Sequence, residues 1–522
     1  MGFAKIHSGQ SVHLTGQVVD VEVDISRGLH SFTIVGLPDK AVEEARDRIS
    51  AAIKNSGYVS PKQKNQRVVI SLAPADIRKE GTHFDLAMAV GYLHASEEIS
   101  FVTCDPHKVM FVGELSLDGK VRKIRGALGI AREALARGFT KIFIPEENIH
   151  EVSIIKAYAV GKSFEIIPTT SLEETVALLS QSPHITHKKH VEENQKESAP
   201  IKNPESNSES KLNNFLEEII DQPLAKRAIE ISAAGKHNLL MCGPPGTGKT
   251  MLAHALRNLL PKLSLDEAIE VTTIHSAVGA TNNVVYEPPF RSPHHTSSYS
   301  ALVGGGNIPQ PGEITLAHRG VLFLDEFPEF DRRVIETLRQ PLEARSIQII
   351  RAKGSVTFPA HFLLVAAMNP CPCGYQKSTT RTCSCSTTDI ARYTKKISGP
   401  ILDRIDLFVD VGEVEFKKVA ERRIQQESSA ALGRITQACT AQNVRTPQSC
   451  NADLTPTELS LLSNISSKAT DVLLRGAESF NLSLRGYHRV WRVARTIADL
   501  EHSDEIKPEH VLESFQYRRT GS

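Results

Sequence analysis

The 522 residues contain no apolar run approaching the length of a membrane span, which needs about 20 residues. No transmembrane helix is therefore expected. The chain also lacks an excess of charge: 61 Lys and Arg against 60 Asp and Glu leave a net +1. Nucleic-acid binding through global charge is excluded, so any such binding must come from a local patch or a lined channel. Eight cysteines in a chain this long do not make a disulfide scaffold. Four of them cluster, which in a reducing compartment points to metal. The first residues, Met1 to His7, reach polar side chains at once and show no signal-peptide core, so a cytoplasmic protein is expected. No internal repeat is evident. A hydrophobic content of 40% and a charged content of 23% describe a globular protein, and the length predicts two or three domains.

The pattern along the chain divides it into four parts. Residues 1–180 mix strands and helices, with an alternating strand at Val19, Val21 and Val23, a second at 68–72, a third at 141–145, and helices over 41–56 and 127–137. Residues 181–211 are polar, of mixed charge and poor in apolar side chains, and predict a flexible linker. Residues 212–410 alternate helix and strand, the mark of an α/β domain with a parallel sheet. Residues 411–522 read as mainly helical, with helices over 420–441 and 483–500.

The clearest chemistry lies in the third part. An apolar strand over 238–242 leads into Gly243, Pro244, Pro245, Gly246, Thr247, Gly248, Lys249 and Thr250, and a helix follows. This strand–loop–helix context makes a phosphate-binding loop. Its glycines let backbone N–H groups turn toward phosphates, and the helix N-terminus adds a field favourable to anions. Lys249 is expected on the β- and γ-phosphates of ATP, and the Thr250 hydroxyl on Mg²⁺. Val321, Leu322, Phe323 and Leu324 form a second apolar strand ending in Asp325 and Glu326. Asp325 is placed to hold the Mg²⁺ shell and Glu326 to polarise the attacking water. A third apolar strand, 362–368, ends in Asn369. Just beyond it, Cys371, Cys373, Cys383 and Cys385 form a C-x-C … C-x-C set within fifteen residues. Four thiolates suit a closed, structural Zn²⁺ site, and metal would order a polar segment too short for a core. The spacing departs from the commoner C-x-x-C knuckle.

Three further runs carry a resemblance. They are Phe290 to Thr296 (with Arg291, Ser292, Pro293, His294 and His295), Val303 to Gly306, and Pro311 to Ile314 (with Gly312 and Glu313). Together with the strand ending in Asp325 and Glu326 they resemble the magnesium-chelatase-like AAA+ ATPases, and among these the ComM (YifB) competence-protein family, over nearly the whole chain. The resemblance implies a P-loop AAA+ α/β domain with a C-terminal helical lid. It implies that Asn369 is the sensor 1 residue between the carboxylates and the γ-phosphate. It places an insert near 302–312 and a hairpin over 346–358, with Arg351 and Lys353 near its tip as DNA-backbone contacts. The residues agree with a hairpin, because two alternating runs flank Arg351, Ala352, Lys353 and Gly354. In the segment 398–406, the resemblance makes Arg404 an arginine finger reaching a neighbouring subunit's nucleotide, which requires a ring, expected to be a homohexamer. It makes Arg485 the sensor 2 residue on the nucleotide, with Arg489 and Arg492 as rivals on the same helix.

The first part resembles the α+β protease domain of Lon, through residues 112–121 and 142–148. That enzyme works by a serine–lysine dyad. His83 stands at the serine position here and Leu128 where the lysine is expected. With both members replaced, peptidase activity by that dyad is not expected. The family resemblance implies an ATP-dependent DNA translocase or helicase promoting branch migration on single-stranded and branched DNA during recombination of incoming DNA in natural transformation. A magnesium-chelatase-like motor and a protein remodeller remain as alternatives. The Lon-like first part speaks against a chelatase motor on the expectation that such motors lack it.

Overall fold

The computed structural model describes residues 2–159, 161, 163–180, 215–281, 283–306, 309–351, 354–376, 378–414, 427–447 and 449–518. The linker expected over 181–211 lies outside the described residues. The chain divides into two compact units. One comprises Met1–Asn203 with Leu265–Val285, the other Pro204–Ser264 with Tyr286–Ser522.

The first unit is built on a seven-stranded mixed sheet. Gly2–Val12 pairs antiparallel with Thr15–Arg27, which pairs antiparallel with Gln66–Ala73. On the other side, Gly2–Val12, Val109–Phe111, Lys141–Pro145 and Glu165–Thr169 run parallel in succession. Alternation decides which face is covered: Val19, Val21, Val23 and Ile25, with Val68, Ile70 and Leu72, are buried on one side. The helix Lys40–Asn55 starts where Asp39 accepts a hydrogen bond from the Val42 N–H at 2.8 Å, an N-cap. It lays Val42, Ala45, Ile49 and Ile53 into that core. The helix Asp85–Ala95 is buried almost all round. Its Asp85 pairs with Arg48 at 2.9 Å.

The helix Leu265–Ala277 packs in this first unit, although its place in the chain falls within 212–410. The Ser276 carbonyl accepts from the Gly126 N–H at 3.2 Å, and Tyr158 hydrogen-bonds Asp266. An alternation of helix and strand gives element types but not the body each element packs into, which is why this excursion was not expected.

The second unit holds a five-stranded, all-parallel sheet in the order Phe290–Arg291, Val321–Leu324, Leu363–Met368, Leu239–Cys242, Leu407–Asp410. The three middle strands are almost wholly buried apolar runs, as expected when helices cover both faces. The helices Glu427–Arg445, Ser467–Ser479, Leu484–Leu500 and Pro508–Gln516 follow. Val493, Ile497 and Leu500 share the core of the sheet. Ala494, Ala498, Leu473 and Val511 form a smaller core among the last helices.

Candidate nucleotide site and cysteine cluster

Parallel register gathers the first group of expected site residues. Cys242 stands opposite Met368, and Leu324 opposite Ala366. The residues just after those strands therefore meet at one edge, the carboxyl end, where ligands of open α/β sheets bind. The loop 243–250 turns there, with Gly246 and Gly248 at φ 78° and 86°, a region open to glycine at little cost. A Cβ on Gly243 would lie 2.1 Å from the Val411 carbonyl oxygen, so that position also demands glycine.

The Lys249 ammonium donates to the Gly243 and Pro244 carbonyls at 2.7 and 2.8 Å and to Asn369 Oδ1 at 3.4 Å. Burial pushes its pKa below the usual lysine value, against the pull of Asp325. Thr247 Oγ1 donates to the Pro244 carbonyl at 2.9 Å. The Thr250 hydroxyl donates to Asp325 Oδ2 at 3.2 Å. Lys249 with Asn369, and Thr250 with Asp325, are thus two hydrogen-bonded pairs on neighbouring residues of one loop. A hydroxyl and a carboxylate oxygen this close, beside an ammonium in a glycine-rich turn, form a donor set that fits a hard divalent cation next to phosphate.

Glu326 sits at φ 50°, and its carboxylate meets a partner that sequence reasoning did not name. His295 Nδ1 lies 3.0 Å from Glu326 Oε2. The ring of His295 stands 4.2 Å from that of His294. The signal lies in the run Phe290 to Thr296, whose resemblance to a family assigns His295 no role. The same run supplies Arg291, whose guanidinium grips Glu313 through two contacts of 2.6 Å.

Arg404 and Arg485 are placed elsewhere. Arg404, 8% exposed, and Arg485 both turn to the same oxygen of Glu343, Arg485 at 3.7 Å. They line a cavity with Asn238, Phe362 and Asp406. Those three residues precede the strands Leu239–Cys242, Leu363–Met368 and Leu407–Asp410. The cavity therefore opens at the amino end of the sheet, a strand length, or about 13 Å at 3.3 Å per residue, from the loop at the carboxyl end. Arg485, expected on the nucleotide, is therefore set apart from its own chain's loop 243–250. The sequence marks the start of the helix Leu484–Leu500 but not the sheet edge it packs against. Of the rivals, Arg489 pairs with Asp406 at 3.4 Å in the same cavity, and Arg492 is a further lining residue.

The four cysteines converge. Cys371 and Cys373 have sulfurs 3.3 Å apart, and Cys383 lies 3.6 Å from each. Cys385 Sγ accepts from the Cys373 N–H at 3.4 Å, and all four sulfurs lie within 4.8 Å of one another. Sulfurs about 3.8 Å apart are what a tetrahedral zinc with 2.3 Å bonds requires, so the donor set fits the metal. The loop also touches the nucleotide site: Gly374, at φ 87°, leaves so little room that a Cβ there would lie 2.8 Å from Pro245. Glu413 accepts from Ser378 Oγ at 2.5 Å and from Thr379 Oγ1 and N–H at 2.8 and 3.0 Å. Those hydrogen bonds hold its pKa down at about 2.

The expected hairpin forms from Ser346–Arg351 and Gly354–Pro359, with Ser346 opposite Pro359 and Arg351 opposite Gly354. Lys353 and the side chain of Arg351 lie outside the described residues. The insert near 302–312 is a short ribbon in which Gly304–Gly305 pairs with Gln310–Pro311. In the first unit, Leu128 is fully buried and the Thr82 hydroxyl bonds Glu114.

Residues 215–419 match the family described as magnesium chelatase, subunit ChlI. Residues 21–148 match subunit ChlI of Mg-chelatase, and 425–518 match its C-terminal part. The chain is 39% identical to the uncharacterized protein YifB of Escherichia coli, over 99% of this chain and 97% of that one. It is 38% identical to the competence protein ComM of Haemophilus influenzae, over 99% and 98%. A more distant likeness, 24% over 55% of this chain and 30% of the other, is to the DNA replication licensing factor mcm6 of Schizosaccharomyces pombe. Family-wide motifs, the parallel sheet and identity along the whole length agree, and the chain belongs to the magnesium-chelatase-like AAA+ family that includes YifB and ComM.

Proposed function

We propose that the chain is an ATP-driven DNA translocase that works as a ring, expected to be a homohexamer, and moves the joint of branched DNA. The observation that carries this reading is the position of Arg404 and Arg485 at the opposite sheet edge from the loop 243–250. One chain cannot bring those arginines to its own nucleotide, whereas a neighbour stacked head to tail can. DNA as the track is supported by the basic tip of the hairpin in the sequence, Arg351 and Lys353. It is also supported by the printed names of two relatives, a competence protein and a DNA replication licensing factor. On this reading residues 1–180 are a non-proteolytic Lon-like domain and 411–522 the helical lid.

The side chains have defined tasks. Bound ATP supplies the phosphoryl group whose transfer to water drives movement. Lys249 and the loop amides hold phosphates, and Thr250 and Asp325 offer oxygens to Mg²⁺. Glu326 accepts a proton from water and is held in place by His295. Replacing His295 by alanine is expected to cut kcat about ten- to a hundredfold with KM for ATP little changed. An unaltered kcat in steady-state assays would remove His295 from the mechanism.

The cysteines hold zinc in this reading. Metal analysis of the purified protein is expected to find one zinc per chain. A Cys371→Ser, Cys373→Ser double variant should lose it and melt more than about 5 °C lower. A zinc-free wild type of full stability would leave four reduced thiols in its place.

The functional test is movement of a synthetic branched DNA joint by the purified protein with ATP, beside Lys249→Ala. Movement by the wild type alone supports the motor. Hydrolysis without DNA binding would overturn it in favour of the chelatase-like reading.

A further inference from the structure

The cavity at the amino edge of the parallel sheet, about 280 Å³, is lined by Arg345, Arg404, Arg485, Arg489 and Arg492. Two of these five guanidiniums have a carboxylate of their own. Arg489 pairs with Asp406, and Arg345 with Asp453. Arg404 and Arg485 instead share a single oxygen of Glu343. The Arg404 Nε and the Arg492 Nε are buried without a hydrogen-bond partner, so the cavity holds more donor capacity than its acids use. Two guanidiniums converging on one oxygen, with donors to spare, suit a multiply charged oxyanion better than a single carboxylate.

The exposures of the partners differ. Arg404 is 8% exposed, whereas the Glu343 side chain is 53% exposed and can swing into water at little cost. Glu343 also sits at a mechanical junction. It belongs to the last turn of the helix Arg339–Ala344, and the hairpin Ser346–Pro359 begins two residues after that helix. The base of the hairpin is tied there by the Ala360 N–H donating to the Arg345 carbonyl at 2.8 Å.

We propose that Glu343 is a displaceable carboxylate that holds Arg404 and Arg485 together until a neighbouring subunit's terminal phosphate takes its place. Its release frees the end of the helix from which the hairpin springs, so phosphate arrival at one subunit is passed to the hairpin of the next. This rests on the reading of Arg404 as a finger acting between subunits.

The test uses full-length Glu343→Gln, which keeps shape and removes charge, assayed for ATP turnover with and without single-stranded DNA. KM for ATP is expected to fall, and the stimulation by DNA to drop at least about fivefold, with Glu343→Asp retaining it. Equal loss of basal and DNA-stimulated turnover at unchanged KM would mean a merely structural role and overturn the proposal, as would wild-type behaviour. A second measurement is independent of DNA. By calorimetry, the Lys249→Ala, Glu343→Gln double variant should bind inorganic pyrophosphate at least about fivefold more tightly than Lys249→Ala alone, and equal affinity would also overturn it. If Arg404→Ala retains full turnover, the finger reading itself falls. If Arg404→Ala is inactive while Glu343→Gln behaves as wild type, only the role of Glu343 falls.

Discussion

Arg404→Ala is expected to lower ATP turnover by about 10³-fold or more, the scale of an arginine finger, while nucleotide binding to the same chain stays nearly intact. The reason is geometric. Arg404 lies at the amino edge of the sheet and Lys249 at the carboxyl edge. The deletion therefore damages the site of the adjacent copy and not the site of the chain that carries it. Mixing makes this visible. Lys249→Ala rings lack a working loop and Arg404→Ala rings lack the finger, so each alone should be inactive. An equimolar mixture places an intact loop against an intact finger at about a quarter of randomly formed interfaces of a head-to-tail ring. Turnover is expected to return to about that fraction of wild type. A mixture as inactive as its components would place the finger on its own chain's nucleotide or remove the ring.

Glu326→Gln is expected to reduce kcat by about 10²- to 10⁴-fold, the usual contribution of a general base, with ATP affinity retained or raised. The amide keeps the shape of the side chain but cannot take the proton of the attacking water. Asp325, Thr250 and Lys249, which the proposed mechanism assigns to the Mg²⁺ and the phosphates, are untouched. The exposed position of Glu326 and its 3.0 Å contact with His295 mean that little else depends on its charge, so the fold should survive. A rapid-quench assay separates the outcomes: ATP should remain bound and uncleaved. Cleavage at the wild-type rate followed by slow release would assign the loss to a later step and exclude Glu326 as the base.

The elements of the fold were legible wherever local chemistry dictates them. The helix expected over 41–56 is Lys40–Asn55, capped by Asp39, and the strand expected over 141–145 is Lys141–Pro145. The glycine loop, the carboxylates ending an apolar strand and the C-x-C pairs are each written in a short contiguous run. The parallel strand pairing, not their spacing, brings the loop and the carboxylates together. The hairpin expected over 346–358 forms from Ser346–Arg351 and Gly354–Pro359.

Long-range partners were not legible. His295 finds Glu326 because the strand Phe290–Arg291 lies beside Val321–Leu324, a pairing that motif reading does not reveal. Arg485 joins Arg404 on Glu343 because three segments far apart in the chain meet at one sheet edge. The helix Leu265–Ala277 leaves the body of its chain neighbours for the first unit. The sequence by itself determined the phosphate loop, the carboxylate pair, the thiolate set and the family, because each is written in contiguous residues whose backbone geometry follows from their types. Only the tertiary structure decided which edge of the sheet each arginine serves and which body each helix joins, because strand order and packing are set by burial across the whole unit.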